Sequence, residues 1–164
     1  MIEEVTGFQF CEAVVPEDGI TQADVDAAVA EVEAGYAVWA PLLVGDLYQG
    51  GIVFQINEDG TGLVANLQDL GEMDWLSALE DAGASTSDGY NDWYLPSIDE
   101  LQLMYSTIGP GADNIGGFES CDLEWYWSSS EYGNYSAWTV NFISGFTTSY
   151  GKNNTARVRI IRAF

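Results

Sequence analysis

Histidine is absent from this chain, and lysine and arginine together number 4 against 26 aspartates and glutamates. Without histidine, the sequence offers neither a Ser-His-Asp triad nor a histidine ligand for zinc. It also lacks the glycine-rich loop with a following lysine that cradles phosphates in nucleotide-binding enzymes. These absences favour a protein that is not an enzyme.

Cations are so scarce that the formal net charge is −22 at pH 7. A surface of that sign repels phosphate backbones and anionic lipid, which argues against nucleic acid and membrane surfaces as partners. The acidity serves solubility or, alternatively, a dedicated cation-binding role. The few cations are clustered near the C-terminus, where we expect the arginines to be internal counter-ions for nearby carboxylates; they are Lys152, Arg157, Arg159 and Arg162.

Cysteine and long apolar runs are also scarce. Cys11 and Cys121 are too few and too far apart for a disulfide framework or a zinc site, and they are predicted to be buried thiols or, alternatively, one long-range disulfide. No run of about 18 apolar residues is present, so we expect no membrane insertion. The first five residues have neither the basic start nor the apolar stretch of a signal peptide, so ordinary secretion is not expected.

The chain does contain the apolar material for a packed core, with 47% hydrophobic residues, 6 Trp, 9 Tyr and 7 Phe in 164 residues. Its organisation predicts an N-terminal arm over residues 1–44 and a domain over residues 45–164. The arm contains a predicted helix at about 21–34, capped by Thr21 and stopped by Gly35. The narrow apolar stripe of this helix packs either on its own domain or on a partner chain.

Three local signals place secondary structure in the domain. Apolar runs at 50–55 and 61–66 flank Asp59-Gly60, which predicts a β-hairpin. Asp74 is a predicted cap for a short helix that ends at Gly83. Ser97, followed three residues later by Glu100, is a capping box that begins a second helix.

Two further segments alternate between apolar and polar residues. Trp138, Val140 and Phe142 alternate with Thr139 and Asn141, which predicts a half-buried strand. The last strand, over 157–162, is predicted to place Val158 and Ile160 on one face and Arg157, Arg159 and Ile161 on the other.

The segments 50–54, 62–65, 93–101, 126–131 and 157–162, in this order, resemble the C-terminal domain of collagen-like bacterial adhesins and the Fibrobacter major paralogous domain. The resemblance covers roughly residues 45–164, and that family is similar to the C-type lectin-like fold. It implies an α+β domain of short, mostly antiparallel sheets with two short helices. It also implies loops displayed for binding.

Residues 125–150 carry the clearest functional signal, because aromatic residues there are interleaved with Ser, Gly, Asn and Thr, as in recognition surfaces. Motif positions that resemble the family's core are assigned to packing: Trp127, Trp138, Val140 and Phe142. The positions predicted to face a partner are Tyr132, Asn134, Tyr135, Asn141, Phe146, Tyr150 and Asn153.

Calcium is the one ion that the lectin-like resemblance raises, because its loop ligands are carboxylate and amide oxygens. The candidates are Asp88, Asn91 and Asp92, with a second acidic group at Glu119, Asp122 and Glu124. The Glu-Pro-Asn triplet of calcium-dependent lectins is missing. We therefore predict no required cofactor.

The sequence thus predicts a non-enzymatic recognition module that binds a host-surface glycan or protein. Because no signal peptide is expected, the predicted location is a phage virion, with residues 1–44 docking onto other virion proteins and the chain forming a homo-oligomer. The net charge favours a neutral glycan or a protein over a sulfated polysaccharide. The alternatives are a structural decoration protein of the virion and an adhesin on a bacterial cell surface.

Overall fold

A computed structural model describes residues 41–118 and 125–164, and the domain within them runs from Leu42 to Phe164. The described residues form nine short strands and two α-helices, which confirms the predicted α+β class. In chain order the elements are β1 (Leu47–Tyr48), β2 (Gly51–Ile56), β3 (Gly62–Asn66), β4 (Gly71–Met73), α1 (Trp75–Ala84), a 3₁₀ turn (Ser87–Gly89), α2 (Ile98–Thr107), β5 (Trp125–Gly133), β6 (Ser136–Asn141), β7 (Thr147–Gly151), β8 (Ala156–Val158) and β9 (Ile161–Ala163).

The strands form two sheets that share the C-terminal segment. The first sheet has the order β1-β2-β3-β9 and the second the order β4-β8-β5-β6-β7. All paired strands are antiparallel except β5 and β8, which are parallel. Because β8 lies in the second sheet and β9 in the first, the last few residues tie the two sheets together.

The predicted hairpin is confirmed as β2 and β3. Its turn is closed by the backbone N–H of Asn57, which donates to the carbonyl of Thr61 at 2.7 Å. Gly60 has φ +85°, a conformation that glycine adopts without steric cost. The side chain and backbone N–H of Thr61 donate to Asp59, and these bonds hold the pKa of Asp59 below its usual value.

Both domain helices begin at the predicted caps. The backbone N–H groups of Ser77 and Leu76 donate to the carboxylate of Asp74, which lowers the pKa of that carboxyl. Helix α2 has the full capping box, in which the Glu100 backbone N–H donates to Ser97 Oγ at 3.3 Å and the Ser97 backbone N–H donates to the Glu100 carboxylate at 2.7 Å. These bonds satisfy N–H groups that a helix leaves open in its first turn.

Two apolar clusters form the core, one around each helix. Trp75 and Ala78 of α1 belong to the first cluster, and Leu101 and Met104 of α2 to the second. Strand β5 contributes to both, because Trp127 packs in the first and the preceding Tyr126 in the second. Successive strand residues point to opposite faces, so β5 is buried on both sides.

Strand β6 differs from its prediction for the same reason. Val140 and Phe142 are buried as expected, but Thr139 and Asn141 are buried as well. The hydroxyl of Thr139 is satisfied because it donates to the carbonyl of Thr148 at 3.1 Å. The prediction of a strand with one solvated face is therefore wrong over residues 139–141. Trp138, which was assigned to the core, is only half-buried.

The predicted last strand is divided into two. β8 ends at Val158 and β9 begins at Ile161, and the intervening Arg159 is buried. Val158 and Ile160 pack in the same cluster, as the alternation predicted. Most of the predicted arm, with its helix at 21–34, lies outside the described residues, as do Cys11 and Cys121. No helix in the described part of the chain is long and apolar enough to span a membrane.

Candidate functional site

The residues predicted to face a partner lie at opposite ends of β6. Tyr132 lies near the end of β5 and Asn134 and Tyr135 in the turn to β6, whereas Phe146 lies in the turn between β6 and β7. β6 takes five steps from Ser136 to Asn141, which is about 17 Å at the usual rise of a strand. The predicted aromatic face is therefore divided between the two ends of β6.

At the first end, two tyrosines project into solvent. Tyr135 is 86% exposed and Tyr132 60% exposed. The Tyr132 ring packs edge-on against Trp138 with the ring centroids 4.9 Å apart, which covers the half-buried indole. Asn134 and Asn153 are also exposed. Asn153 lies near the turn of Asn134 because Gly151 pairs with Ser136 at the start of β6. We call Tyr132, Asn134, Tyr135 and Asn153 the tyrosine end.

Lys152 fixes the backbone of the tyrosine end. Its backbone N–H donates to the carbonyl of Tyr135 at 2.9 Å, and its own carbonyl accepts from the backbone N–H of Trp75 at 3.1 Å. Its ammonium group pairs with Glu131 at 2.6 Å and lies 4.2 Å from the centroid of the Trp75 ring. The hairpin is thus held to helix α1, so the exposed tyrosines are presented on a rigid support.

The contribution of Lys152, Glu131 and Trp75 to this site was not predicted from the sequence. Trp75 is far from the other two in sequence, and its indole N–H donates to the Ser128 carbonyl at 2.8 Å. No local sequence motif indicates that these three side chains lie close together in the fold. The only signal available was that Lys152 is the one lysine in the chain.

The other end of β6 has a different character. Asn141 is only 7% exposed, and its side-chain oxygen accepts from the backbone N–H groups of Ile143 and Ser144. It therefore caps the turn instead of facing solvent, which corrects the expectation for this residue. Phe146 is 65% exposed, as predicted. Tyr150 does not lie at this end, because it pairs with Ala137 near the start of β6; it is half-buried, with its ring centroid 5.7 Å from that of Trp127.

All four cations contact carboxylates, which confirms the expectation that the arginines act as counter-ions. Arg157 and Arg159 both pair with Asp69, and Arg162 pairs with Asp92. Residues 132–164 contain no acidic side chain at all, so every partner carboxylate comes from earlier in the chain. The tyrosine end consequently has Lys152 as its nearest cation, and that cation is neutralised by Glu131.

Asp69 is the centre of a buried polar network. Besides the arginines it accepts a hydrogen bond at 2.8 Å from the Tyr126 hydroxyl, and Arg159 also donates to the carbonyls of Asn66 and Gly116. Burial raises the pKa of Tyr126 well above its usual value, and the nearby Asp69 charge adds to the rise. Tyr126 therefore stays protonated as a hydrogen-bond donor, and the network is structural.

Within the first group of calcium candidates, Asp92 is paired with an arginine. Asp92 accepts two hydrogen bonds from Arg162, at 2.7 and 3.0 Å, and this pairing lowers the pKa of Asp92. Asp88 lies in the 3₁₀ turn, and Asn91 is exposed. Within residues 41–118 and 125–164, no three acidic or cysteine side chains converge on a metal position. The second group, Glu119, Asp122 and Glu124, lies outside the described residues.

Comparison with protein families assigns the domain. The family model of the Lcl C-terminal domain matches residues 53–162, from within β2 to within β9. The chain belongs to the Lcl C-terminal domain family. The match includes both ends of β6, Lys152 and all three arginines, so the tyrosine end is part of the Lcl C-terminal domain itself.

Membership of the Lcl C-terminal domain family confirms the family that the five ordered segments predicted. It is consistent with an adhesin-like module at a surface. The C-type lectin-like classification and the phage origin stay predictions. No curated protein matches the chain.

Proposed function

We propose that this Lcl C-terminal domain is a non-enzymatic recognition module that binds a surface glycan or protein through its tyrosine end. The observation that supports this most directly is the exposure of Tyr135 and Tyr132 on a hairpin held by Lys152. Tyrosine provides a large contact area at low entropic cost, and neighbouring asparagines supply adaptable hydrogen bonds. A rigid support lowers the further cost of ordering the site on binding.

The charge around the tyrosine end favours a neutral ligand. Lys152 is already paired with Glu131, whose side chain remains largely exposed. No unpaired cation is therefore available at this end for a sulfate or carboxylate group of a ligand. An anionic polysaccharide would also approach a chain of net charge −22, which opposes association. We propose a neutral glycan whose sugar rings stack on the tyrosines, or a protein surface without excess negative charge.

An array of neutral and sulfated oligosaccharides, probed with the purified chain, tests the proposal. We expect binding to neutral members, with an affinity that falls roughly fivefold in Tyr135→Ala, because one aromatic contact is worth on the order of 1 kcal/mol. Leu47→Ala is the matched control, because Leu47 is similarly exposed but lies in the other sheet. Binding confined to sulfated members, or an equal loss in both variants, would contradict the proposal.

The module is displayed either on the surface of a bacterial cell or, as predicted from the sequence, on a phage virion. Immunogold labelling of intact cells and of purified phage particles distinguishes these two carriers. A structural decoration protein is the alternative in which the tyrosines are covered by neighbouring subunits. In that case Tyr132→Ala and Tyr135→Ala would reduce particle yield while leaving adsorption to host cells unchanged, the reverse of what we expect.

A further inference from the structure

Trp138 is the one tryptophan in the described part of the chain that packs in neither apolar cluster. Trp75, Trp93 and Trp127 are buried in the first cluster, and Trp125 packs against it. Each of the three buried indoles donates its N–H to a backbone carbonyl, at 2.8 to 3.0 Å. Trp138 is half-buried, and within the described residues no acceptor meets its indole N–H. Packing of the core therefore does not account for this side chain.

The strand register places two hydroxyl groups beside the Trp138 ring. Trp138 pairs directly with Ser149 of β7, so the two side chains lie on the same face of the sheet. Thr147, two residues before Ser149, lies on that face as well. Both side chains are half-buried, and neither hydroxyl has a hydrogen-bond partner among the residues that the structure describes. The face thus offers one unpaired N–H donor and two hydroxyls that can donate or accept.

Helix α2 covers only part of this face of the sheet. Val140, two residues after Trp138 on the same strand, is buried in the second cluster, which the sheet forms with α2. At Trp138 the face is no longer part of that cluster, and the indole meets the Tyr132 ring at 83° with the centroids 4.9 Å apart. Two rings at a right angle form an apolar corner. We call Trp138, Tyr132, Ser149 and Thr147 the tryptophan face.

The chemistry of the tryptophan face fits a neutral sugar. An aromatic ring packs against the apolar C–H groups of a pyranose, and a few polar groups beside the ring fix its orientation. Residues 132–151 contain no charged side chain. The Glu131–Lys152 pair lies across the sheet, because Glu131 pairs with Ala137, whose side chain is buried in the first cluster. The tryptophan face therefore offers nothing that attracts an ionic group.

We propose that the tryptophan face is a second sugar subsite, which rests on the proposed function of the adjoining tyrosine end. A pyranose ring stacks on Trp138, and its hydroxyls bond to Trp138 Nε1 and to the hydroxyls of Ser149 and Thr147. Tyr132 belongs to both surfaces. Tyr135 precedes Trp138 by three residues, about 10 Å along an extended chain, which is longer than one sugar ring. The ligand is thus a neutral oligosaccharide whose neighbouring residues occupy the two surfaces.

Isothermal titration calorimetry of the full chain with neutral oligosaccharides of the array, and with the corresponding monosaccharides, tests the subsite. We expect the oligosaccharides to bind more tightly. Affinity should fall roughly tenfold in Trp138→Ala, because stacking and a hydrogen bond are both lost, and roughly fivefold in Ser149→Ala. Thr148→Ala is the matched control, because Thr148 is on the same strand with its side chain on the opposite face, and it should bind like the natural chain.

The indole N–H signal of Trp138 in a ¹H–¹⁵N spectrum separates direct contact from a structural effect on Tyr132. This signal, assigned from Trp138→Phe, should shift when the oligosaccharide is added, whereas that of the buried Trp127 should not. Binding that is weakened in Trp138→Ala alone, with an unmoved Trp138 signal, would overturn the subsite, as would the absence of binding by any neutral oligosaccharide.

The same measurements distinguish the subsite from the proposed function. Binding that is weakened in Tyr135→Ala but unchanged in Trp138→Ala and Ser149→Ala would overturn the subsite and leave the proposed function standing. Binding that is weakened in Trp138→Ala and Ser149→Ala but unchanged in Tyr135→Ala would support the subsite and contradict the proposed role of the tyrosine end.

Discussion

At the scale of single residues, the most important feature is the pairing of the few cations with carboxylates that are distant in the sequence. Within the described residues, Arg159, 2% exposed, has Asp69 as its carboxylate partner, and Arg162 lies over the Tyr90 ring while paired with Asp92. The sequence predicted that the arginines are counter-ions, because so few cations occur among so many acids. It did not predict which acids, because the partners are separated by 90 and 70 residues and only the folded sheets bring them together.

Removal of Asp69 should destabilise the domain strongly. Asp69→Ala removes the carboxylate that balances the buried Arg159 charge, and it removes the acceptor of the Tyr126 hydroxyl. We expect a loss of about 3–5 kcal/mol in the free energy of unfolding, measured by urea denaturation. Glu72→Ala is the control, because Glu72 is 61% exposed and 3.9 Å from Arg157, and should cost less than about 1 kcal/mol. Equal costs for the two variants would contradict this account of the network.

The pairing of Asp92 with Arg162 should give stability that depends on pH. The hydrogen bond from Arg162 lowers the pKa of Asp92 in the folded state. A lowered pKa means that the contribution is fully present above the unfolded value of about 3.9 and is lost as the pH falls through the folded pKa. Asp92→Asn should therefore melt below the natural chain at pH 7, with the two melting temperatures converging as the pH falls through the folded pKa. A difference in melting temperature that does not shrink as the pH falls would argue against this pairing.

At the scale of elements, signals confined to a few residues were the reliable ones. The caps at Asp74 and Ser97 and the hairpin around Gly60 were predicted because each depends on neighbours in the chain. The burial of Asn141 was not predicted, because it reflects a turn that its own side chain caps and a sheet covered on both faces. The separation of Phe146 from the tyrosine end likewise depends on strand direction, which an apolar pattern does not contain.

The capping box of α2 gives a prediction for a whole element. Ser97→Ala removes the acceptor for the Glu100 N–H and should cost about 1 kcal/mol of unfolding free energy. Ser106→Ala, at an exposed position of the same helix, is the control and should change stability by less than about 0.5 kcal/mol. Chemical denaturation of both variants provides the comparison, and a larger effect at Ser106 would show that the cap is unimportant.

At the scale of the whole molecule, the net charge of −22 dominates the electrostatics. Its carboxylates repel one another, and that repulsion opposes the compact state. We expect the melting temperature at pH 7 to rise by several degrees between about 0.01 and 1 M potassium chloride, as the Debye length falls from roughly 30 to 3 Å. A melting temperature that falls over this range would indicate that the internal ion pairs outweigh the repulsion.

The central claim is that one rigid end of the domain, with Tyr132 and Tyr135 exposed, makes the contact with a surface ligand. The most direct test is the dissociation constant of the full chain for a neutral oligosaccharide that the array identifies, measured for the double variant Tyr132→Ala/Tyr135→Ala and for Phe146→Ala. The account predicts that the double variant binds roughly thirtyfold more weakly, since two aromatic contacts of about 1 kcal/mol each are lost, while Phe146→Ala binds like the natural chain. Unchanged binding by the double variant, together with loss in Phe146→Ala, would contradict it.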